Sequence, residues 1–176
     1  PPNTTPSNYK VSKIGNGIKD IRLDIRNRKK LEKKIISFKP DFIFHLAAQA
    51  LVGLSYKNSP LTWESNVLGT LNVLEAARKC KNLKAILAIT TDKCYENQGW
   101  VQPYRETDRL GGHDPYSSSK ACADIVAAAY RSSFLSEAGV QLASVRSGNV
   151  IGGGDWSDNR LIPDAVRSIN RRNGTG

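Results

Sequence analysis

Three short apolar runs, separated by long stretches with helical spacing, constrain the fold of this chain more than any other feature. The runs predict strands at residues 42–46, 85–89 and 140–145. Each run is almost continuously apolar, which is typical of strands that are buried on both faces of a parallel sheet. Alternation of such strands with helices predicts an α/β fold in which right-handed crossovers connect the strands.

The stretches between these runs carry apolar residues at helical spacing. They predict helices over residues 28–38, 63–80, 116–135 and 158–170. Asp114 and Pro115 are predicted to begin the third helix, as its N-cap and its first helical residue. A further short strand is predicted over residues 18–25, ending near Asp24.

Polar residues follow each predicted strand at its carboxyl end. Asp24, the segment 47–49, the segment 90–93 and the segment 147–149 all occupy such positions. In a parallel sheet these ends meet at one edge, and ligands of α/β proteins bind there. The sequence therefore predicts a binding site at the carboxyl edge of the sheet.

Tyr116 and Lys120 are four residues apart at the start of the third helix, so they share one helix face. A lysine ammonium beside a tyrosine stabilises the phenolate, which can take a proton from an alcohol near neutral pH. That is the chemistry needed to oxidise a sugar or steroid hydroxyl with NAD. Tyr9 and Lys13 have the same spacing in a loop-like segment, so position after a buried strand, rather than spacing, favours the later pair.

The chain of 176 residues has a net charge of +10, and much of the positive charge lies in residues 10–39. This segment is either a nucleic-acid patch or the solvated face of a helix. We favour the second interpretation, because aromatic residues do not alternate with the charges as they do in single-strand binders. A basic field also suits a substrate that carries a diphosphate, and we expect no nucleic-acid partner.

Cysteines and histidines are too few and too widely spaced for a disulfide framework or a metal site. We therefore expect no metal and a cytoplasmic location. No apolar run is long enough to span a bilayer. His45 lies within an apolar run, which is typical of a core histidine, whereas His113 is interpreted as a loop residue or a substrate contact.

Four blocks, in order, resemble the extended short-chain dehydrogenase/reductase superfamily. They are His-Leu-Ala-Ala-Gln at 45–49, the segment 66–77, Tyr-x-x-x-Lys at 116–120, and Arg-Ser-Gly-Asn-Val-Ile-Gly at 146–152. The resemblance implies a Rossmann-like doubly wound parallel sheet and a bound NAD. It implies that the residues holding NAD are Asp24, Ile25, Ala47, Ala48, Gln49, Asn66, Tyr116 and Lys120.

Within the superfamily, Thr-Asp-Lys-Cys-Tyr-Glu-Asn at 91–97 is similar to the nucleotide-sugar 4,6-dehydratases, and to the branch that acts on CDP-glucose. This implies that Thr91 contacts the C4 oxygen and that Asp92 protonates the departing C6 hydroxyl. Lys93 is either the base at C5, if it is neutral, or a stabiliser of the enolate while water moves the proton. The implied substrate contacts are Ser147, Asn149, Asn159 and Arg160.

The dinucleotide fingerprint is not visible, because Asp20 stands where a glycine should follow Gly15 and Gly17. The superfamily's strand order is 3-2-1-4-5-6. We therefore expect residues 1–176 to form a partial NAD(P)-binding Rossmann domain without its first two strands. We also expect most of the carboxyl-terminal sugar-nucleotide domain to be absent. The resemblance further implies a homo-oligomer, a dimer or tetramer, that pairs through the helices at 63–80 and 116–135.

Three alternatives stay open at this point. A nucleotide-sugar 4-epimerase or decarboxylase shares the tyrosine–lysine pair but not Asp92 and Lys93. A non-catalytic NAD-binding scaffold has no need to keep these groups together. A nucleic-acid module would show binding that depends steeply on salt.

Overall fold

A computed structural model of the chain describes residues 4–172, which divide into two units. One unit comprises residues 23–148. The other comprises the described parts of residues 1–22 and 149–176. In chain order the helices and strands are α1 (Asn8–Val11), α2 (Arg28–Phe38), β1 (Phe42–His45), α3 (Val52–Lys57), α4 (Ser59–Trp63), α5 (Gly69–Ala77), β2 (Ala85–Thr91), α6 (Pro115–Tyr130), β3 (Gln141–Ser147) and α7 (Leu161–Arg172).

The sheet has three parallel strands in the order β1-β2-β3. Phe42 lies opposite Ala85, which in turn lies opposite Gln141. The predicted α/β class, the three predicted strands and the four predicted helices are confirmed, with ends that move by a few residues. The helices α1 and α3 were not predicted, and α1 includes Tyr9, whose segment was interpreted as loop-like.

One face of the sheet packs against helices and forms the core. Ile86 and Leu142 of the sheet contact Leu74 of α5 and Ala127 of α6 in a single buried cluster. Leu74 is completely buried, so replacing it with alanine would destabilise the fold by about 2–5 kcal/mol. This core sets the position of α6, and α6 carries the tyrosine–lysine pair.

The opposite face of the sheet is open, so the prediction of strands buried on both faces is wrong. Phe42 is 57% exposed and Phe44 is 67% exposed. Together with Leu87 and Ala143 they line an apolar groove. Side chains alternate between the two faces of a strand. Within residues 23–148, the helices that join the core cluster all lie on the other face.

The predicted strand over residues 18–25 is also wrong. This segment has no strand structure, and Ile18, Ile21 and Leu23 are exposed. A strand requires a neighbour to complete its hydrogen-bonded ladder. Among the described residues, none of β1, β2 or β3 pairs with this segment.

The predicted helix over 63–80 begins earlier and contains an irregular turn. Asn58 caps α4, because its Oδ1 accepts a hydrogen bond from the backbone N–H of Leu61 at 3.1 Å. A π-helical turn at Glu64–Leu68 then joins α4 to α5. A second π turn, Arg131–Leu135, continues α6. Such turns commonly occur near functional residues, and the first one contains Asn66.

The smaller unit contains α1 and α7. The backbone N–H of Asn8 donates to the carbonyl of Gly154 at 3.3 Å. Arg167 of α7 donates to the carbonyl of Trp156 and pairs with Asp164 at 2.7 Å. Within residues 4–172, no helix is both long enough and apolar enough to cross a membrane.

Candidate active site

The start of α6 is fixed by a side-chain cap, as predicted. The carboxylate of Asp114 accepts hydrogen bonds from the backbone N–H and the hydroxyl of Ser117, at 3.0 and 2.6 Å. Pro115 occupies the first turn. The hydroxyl of Ser118 donates to the carbonyl of Gly112 at 2.6 Å, which ties the preceding loop to the helix. Tyr116 is therefore held in a well-defined first turn, where it is half-buried.

Lys120 lies one turn further along α6 and is only 8% exposed. Its Nζ donates a hydrogen bond of 2.7 Å to the carbonyl of Ile89. The ladder between β1 and β2 ends one residue earlier, at the pair His45–Ala88. Burial lowers the pKa of Lys120, and the nearby Asp124 opposes this shift. The tyrosine–lysine face of α6 thus meets the carboxyl edge of the sheet, as predicted.

The Thr-Asp-Lys segment forms a tight turn at the end of β2. Thr91 is the last residue of the strand, and its Oγ1 accepts a hydrogen bond of 3.4 Å from the backbone N–H of Lys93. The same hydroxyl donates to Asp92 Oδ1 at 3.1 Å. The Nζ of Lys93 lies 3.5 Å from that oxygen, and about half of each side chain is exposed. This turn presents a hydroxyl, a carboxylate and an ammonium at the strand end.

Asn66 is buried and bridges the segment after β1 to α6. Its Oδ1 accepts from the backbone N–H of Gln49 at 2.8 Å. Its Nδ2 donates to the carbonyl of Gln49 at 3.1 Å and to the hydroxyl of Ser119 at 2.9 Å. These bonds satisfy the amide within the protein. Asn66 therefore positions the strand end beside the residue that precedes Lys120.

Residues 47–49, which follow Leu46 at the end of β1, differ in their exposure. The side chain of Gln49 is buried and bonds to Thr62 Oγ1 at 2.9 Å and to both backbone groups of Leu51. Ala47 is exposed and Ala48 is half-buried. Ala47 and Ala48 each carry a single methyl group, which leaves the backbone there open to a ligand, whereas the exposed Leu46 before them carries a larger side chain.

His45 is confirmed as a core histidine. Its Nε2 lies 2.9 Å from Thr70 Oγ1. Because the Thr70 hydroxyl donates its proton to the carbonyl of Asn66 at 2.6 Å, it accepts from His45, which places the imidazole proton on Nε2. Burial, aided by the charge of Lys120, lowers the pKa of His45 to about 4.

Asp24 and Ile25 take part in packing the turn before α2. Asp24 pairs with Arg26 at 2.6 Å and accepts from its backbone N–H at 2.9 Å, so it caps this turn. A Cβ placed on Gly69 would lie 2.5 Å from Ile25 Cδ1, so this side chain packs closely on α5. The carbonyl of Ile25 accepts from Asn72 Nδ2 at 3.0 Å. Contacts of these residues with a cofactor stay a prediction.

The predicted substrate contacts are divided between the two units. Ser147 ends β3 directly opposite Thr91, so it lies at the same sheet edge as the Thr-Asp-Lys turn. Asn149, Asn159 and Arg160 belong to the other unit. Their contact with a substrate stays a prediction. Residues 4–172 contain no cluster of three or more His, Cys, Asp or Glu side chains that could hold a metal ion.

Sequence reasoning missed Asp124, whose carboxylate is buried beside the site. It pairs with Arg146 at 2.8 Å. Asp124 follows Lys120 by four residues on α6, so its place on the same helix face was available as a signal.

Comparison with known proteins agrees with this geometry. The sequence matches the family described as GDP-mannose 4,6 dehydratase over residues 5–173. The CDP-glucose 4,6-dehydratase of Salmonella typhimurium is 49% identical over 171 residues, which cover 94% of this chain and 48% of the relative. A probable dTDP-glucose 4,6-dehydratase of Sinorhizobium fredii is 32% identical over 65% of this chain and 35% of its own length.

Two solved structures extend the comparison. The dTDP-glucose 4,6-dehydratase DesIV from Streptomyces venezuelae, solved with NAD and DAU bound, superposes with a TM-score of 0.74 at 27% identity. The match covers 88% of this chain and 44% of DesIV. The UDP-glucose 4-epimerase of Thermus thermophilus, in complex with NAD, gives a TM-score of 0.69 at 30% identity, over 81% of this chain and 45% of the epimerase. The chain thus spans about half the length of the curated relative that it matches at 49% identity.

Proposed function

Since this chain belongs to the GDP-mannose 4,6-dehydratase family, we propose that it carries the catalytic end of a nucleotide-sugar 4,6-dehydratase. The proposal rests on one observation: a single strand brings together two groups of functional side chains. The carbonyl of Ile89 on β2 holds Lys120, and two residues later the same strand ends in Thr91 and the Asp92–Lys93 turn. An alcohol-oxidising pair and an acid therefore share one sheet edge.

The residues present fit one end of NAD. Ala47 and Ala48 leave the backbone after β1 accessible, and Tyr116 and Lys120 lie on the α6 face that meets the same edge. We propose that these residues hold the nicotinamide and its ribose. When bound, NAD would accept a hydride from C4 of the sugar and later return a hydride to C6. Residues 4–172 contain no turn with the glycine spacing of the dinucleotide fingerprint, so the proposal covers the nicotinamide end of NAD and not its phosphates.

Tyr116 begins the reaction as a general base. Its phenolate takes the proton of the C4 hydroxyl, and the Lys120 ammonium stabilises that phenolate. Thr91 donates its hydroxyl proton to the C4 oxygen as this becomes a carbonyl. The C4 carbonyl makes the proton on C5 acidic. Asp92 is the proposed acid: its carboxyl group supplies a proton to the C6 hydroxyl, which leaves as water, and Asp92 is left as a carboxylate.

Two roles were open for Lys93, and the geometry supports the electrostatic one. Its ammonium lies 3.5 Å from the Asp92 carboxylate, and 42% of the side chain is exposed. A cationic side chain at this strand end can stabilise negative charge that develops on a substrate oxygen. We propose that Lys93 stabilises the enolate oxygen that forms when C5 loses its proton. Water carries this proton away and returns a proton to C5 when C6 receives the hydride.

We propose CDP-glucose as the substrate, because the relative at 49% identity is a CDP-glucose 4,6-dehydratase. The product is then CDP-4-dehydro-6-deoxy-D-glucose. Ser147, Asn149, Asn159 and Arg160 are proposed to contact this substrate. The 4-epimerase alternative is weaker, because an epimerase has no use for the acid at Asp92.

We propose that the protein forms a homo-oligomer and that it is located in the cytoplasm. Trp63, Leu68 and Ile125 are exposed apolar side chains at 37%, 52% and 54%, on the helical segments that were predicted to pair two copies. The thiols of all three cysteines are free, which supports a reducing compartment. Sedimentation analysis of the protein and of Ile125→Glu would test the pairing, since a charge at a self-complementary surface should give monomers.

The substrate proposal is tested by a panel of nucleotide sugars. The full-length protein is incubated separately with CDP-, dTDP-, UDP- and GDP-hexoses, and the masses of the products are measured by mass spectrometry. We expect CDP-glucose to give a product lighter by one water, at a higher rate than the other three. Conversion of another nucleotide sugar would overturn the choice of base, and a product of unchanged mass would overturn the dehydration itself.

A further inference from the structure

Asp124 lies on the same face of α6 as Tyr116 and Lys120, one turn beyond the lysine. It is 3% exposed, and its carboxylate lies among polar side chains rather than in solvent. A buried carboxylate is unfavourable unless it is paired and hydrogen-bonded. Its presence beside the catalytic lysine therefore requires an explanation.

Hydrogen bonds from two strands satisfy the Asp124 carboxylate. Oδ2 accepts from Arg146 Nε at 2.8 Å and from Thr90 Oγ1 at 3.2 Å, and Oδ1 accepts from Ser144 Oγ at 2.9 Å. Thr90 lies on β2, whereas Ser144 and Arg146 lie on β3. Burial by itself raises the pKa of Asp124, but the bonds from Arg146, Ser144 and Thr90 outweigh it and hold the pKa below its usual range. The ionised group therefore joins α6 to both strands.

Arg146 extends this connection to the loop that follows the Thr-Asp-Lys turn. Its Nη1 donates to the carbonyl of Glu106 at 2.9 Å, and its guanidinium carbon lies 4.9 Å from the centre of the Tyr95 ring. Tyr95 stacks on Tyr104 with ring centres 4.9 Å apart. Tyr95 also forms a bridge with Leu110, which closes the loop. One guanidinium thus contacts α6 and two points of this loop, at Tyr95 and at Glu106.

Asp124 is also the nearby negative charge that favours the ammonium of Lys120. The titratable and charged groups around this lysine are Tyr116 and Asp124 on α6, His45 on β1, Cys94 after β2, and Arg146, which pairs with Asp124. Burial lowers the pKa of Lys120, while Asp124 and Cys94 oppose that shift. Burial raises the pKa of Cys94 to about 11, so the thiol is neutral near neutral pH and Asp124 supplies the charge.

We propose that Asp124 and Arg146 form a positioning pair for the reaction described above, and the inference rests on that proposed function. The pair fixes the tyrosine–lysine face of α6 against the ends of β2 and β3. It also holds the loop at residues 95–110 beside the Thr-Asp-Lys turn. Neither side chain needs to touch the substrate. Both are positioning residues, and they act through Lys120 and the turn.

The first test replaces Asp124 with asparagine, which keeps the size of the side chain and removes its charge. We expect kcat for conversion of CDP-glucose to fall by about 10- to 100-fold, because misplacement of reacting groups by about 1 Å has effects of this size. KM should change by less than about threefold, since substrate contacts remain. The alkaline limb of the pH–rate profile should move to lower pH, because Lys120 loses the carboxylate that favours its charged form. Asp124→Glu should restore most of the rate.

Glu75→Gln is the matched control. Glu75 is another mostly buried carboxylate, bound by Arg78 at 2.7 Å, Arg28 at 3.0 Å and the hydroxyl of Tyr130, near the far end of α6. This variant should lower the midpoint of thermal unfolding while kcat per folded molecule and the pH profile stay unchanged. If Asp124→Asn behaves in the same way, the pair is merely structural and the inference fails.

A double variant covers the case in which Asp124→Asn does not fold, because the single change leaves Arg146 buried without its partner. Asp124→Asn combined with Arg146→Gln removes both charges. We expect this double variant to fold and to show the loss in kcat that is expected for Asp124→Asn, because the two residues act as one unit. Wild-type kcat in the double variant would overturn the inference. An unmodified protein that converts none of the four nucleotide sugars would overturn the proposed function and the inference with it.

Discussion

The two halves of the candidate site contrast in how they are supported. Lys120 and Asn66 are buried, and each is held by hydrogen bonds of 2.7–3.1 Å to strand-end backbone or to α6. Asp92 and Lys93 are about half exposed and pair with each other at 3.5 Å. The half that is proposed to abstract a proton is therefore held in one geometry by the fold. The half that is proposed to carry out the elimination is an open turn, which a substrate can reorganise.

This difference has an energetic basis. Buried polar groups are costly unless they are satisfied, so the bonds around Lys120 and Asn66 keep one geometry. An exposed ion pair contributes only about 0–1 kcal/mol, so the pairing of Asp92 with Lys93 is easily exchanged for contacts with a substrate. Changes in the buried half should therefore stop the first chemical step or the fold. Changes in the open turn should leave both intact.

The largest effect is expected from Tyr116→Phe, which removes the proposed base from the preorganised half. Oxidation at C4, followed as the transient absorbance of reduced cofactor, should slow by about 1,000-fold. Tyr9→Phe is the matched control, because Tyr9 and Lys13 have the same spacing but Tyr9 bonds to Asp20 in the other unit. Equal rates of C4 oxidation in Tyr116→Phe and Tyr9→Phe would show that Tyr116 is not the base for this step.

The second largest effect is expected from a change in the open turn, which tests whether the two halves act independently. Asp92→Asn removes the proposed acid and should slow loss of water by about 100-fold. Oxidation at C4 should continue, so reduced cofactor should accumulate in stopped-flow traces instead of appearing briefly. If C4 oxidation and loss of water decline together, the open turn is not an independent half of the site.

His45 provides a stability test of the buried half. The pKa of His45 is about 4 in the folded state, compared with 6.5 for a free histidine. The contribution of His45 to the free energy of unfolding is therefore complete above about pH 6.5 and is lost as the pH falls through 4. The loss should reach about 2 kcal/mol at pH 5. Urea melts at pH 8 and pH 5 measure it. In His45→Gln this part of the pH dependence should disappear, and an unchanged pH dependence would show that His45 is not buried as a neutral group.

The smallest effect is expected from Lys93→Glu. Because Lys93 is proposed to act only on the enolate, C4 oxidation should persist while loss of water changes by about 10-fold. Lys29→Glu makes the same charge change on the exposed face of α2 and should affect neither step. Equal losses of transient reduced cofactor and of product in Lys93→Glu would contradict its assignment to the elimination.

The contrast between the halves also explains what the sequence could predict. Helices and strands followed from apolar periodicity, and the motif Thr91–Lys93 was recognised by resemblance. The pair Asp124–Arg146 was missed, because its hydrogen bond joins a helix to a strand 22 positions later in the sequence. The prediction for residues 18–25 was wrong because a strand depends on a distant partner. The open faces of Phe42 and Phe44 were missed because an apolar run does not reveal what covers it.

The most direct test of the central claim follows one deuterium atom. CDP-glucose that carries deuterium at C4 is converted by the full-length protein, and the product is analysed by mass spectrometry and NMR. The account predicts a product that has lost one water and carries the deuterium at C6, because the hydride removed from C4 returns to C6. Deuterium retained at C4 in a product of unchanged mass would contradict the oxidise–eliminate–reduce site and favour an epimerase.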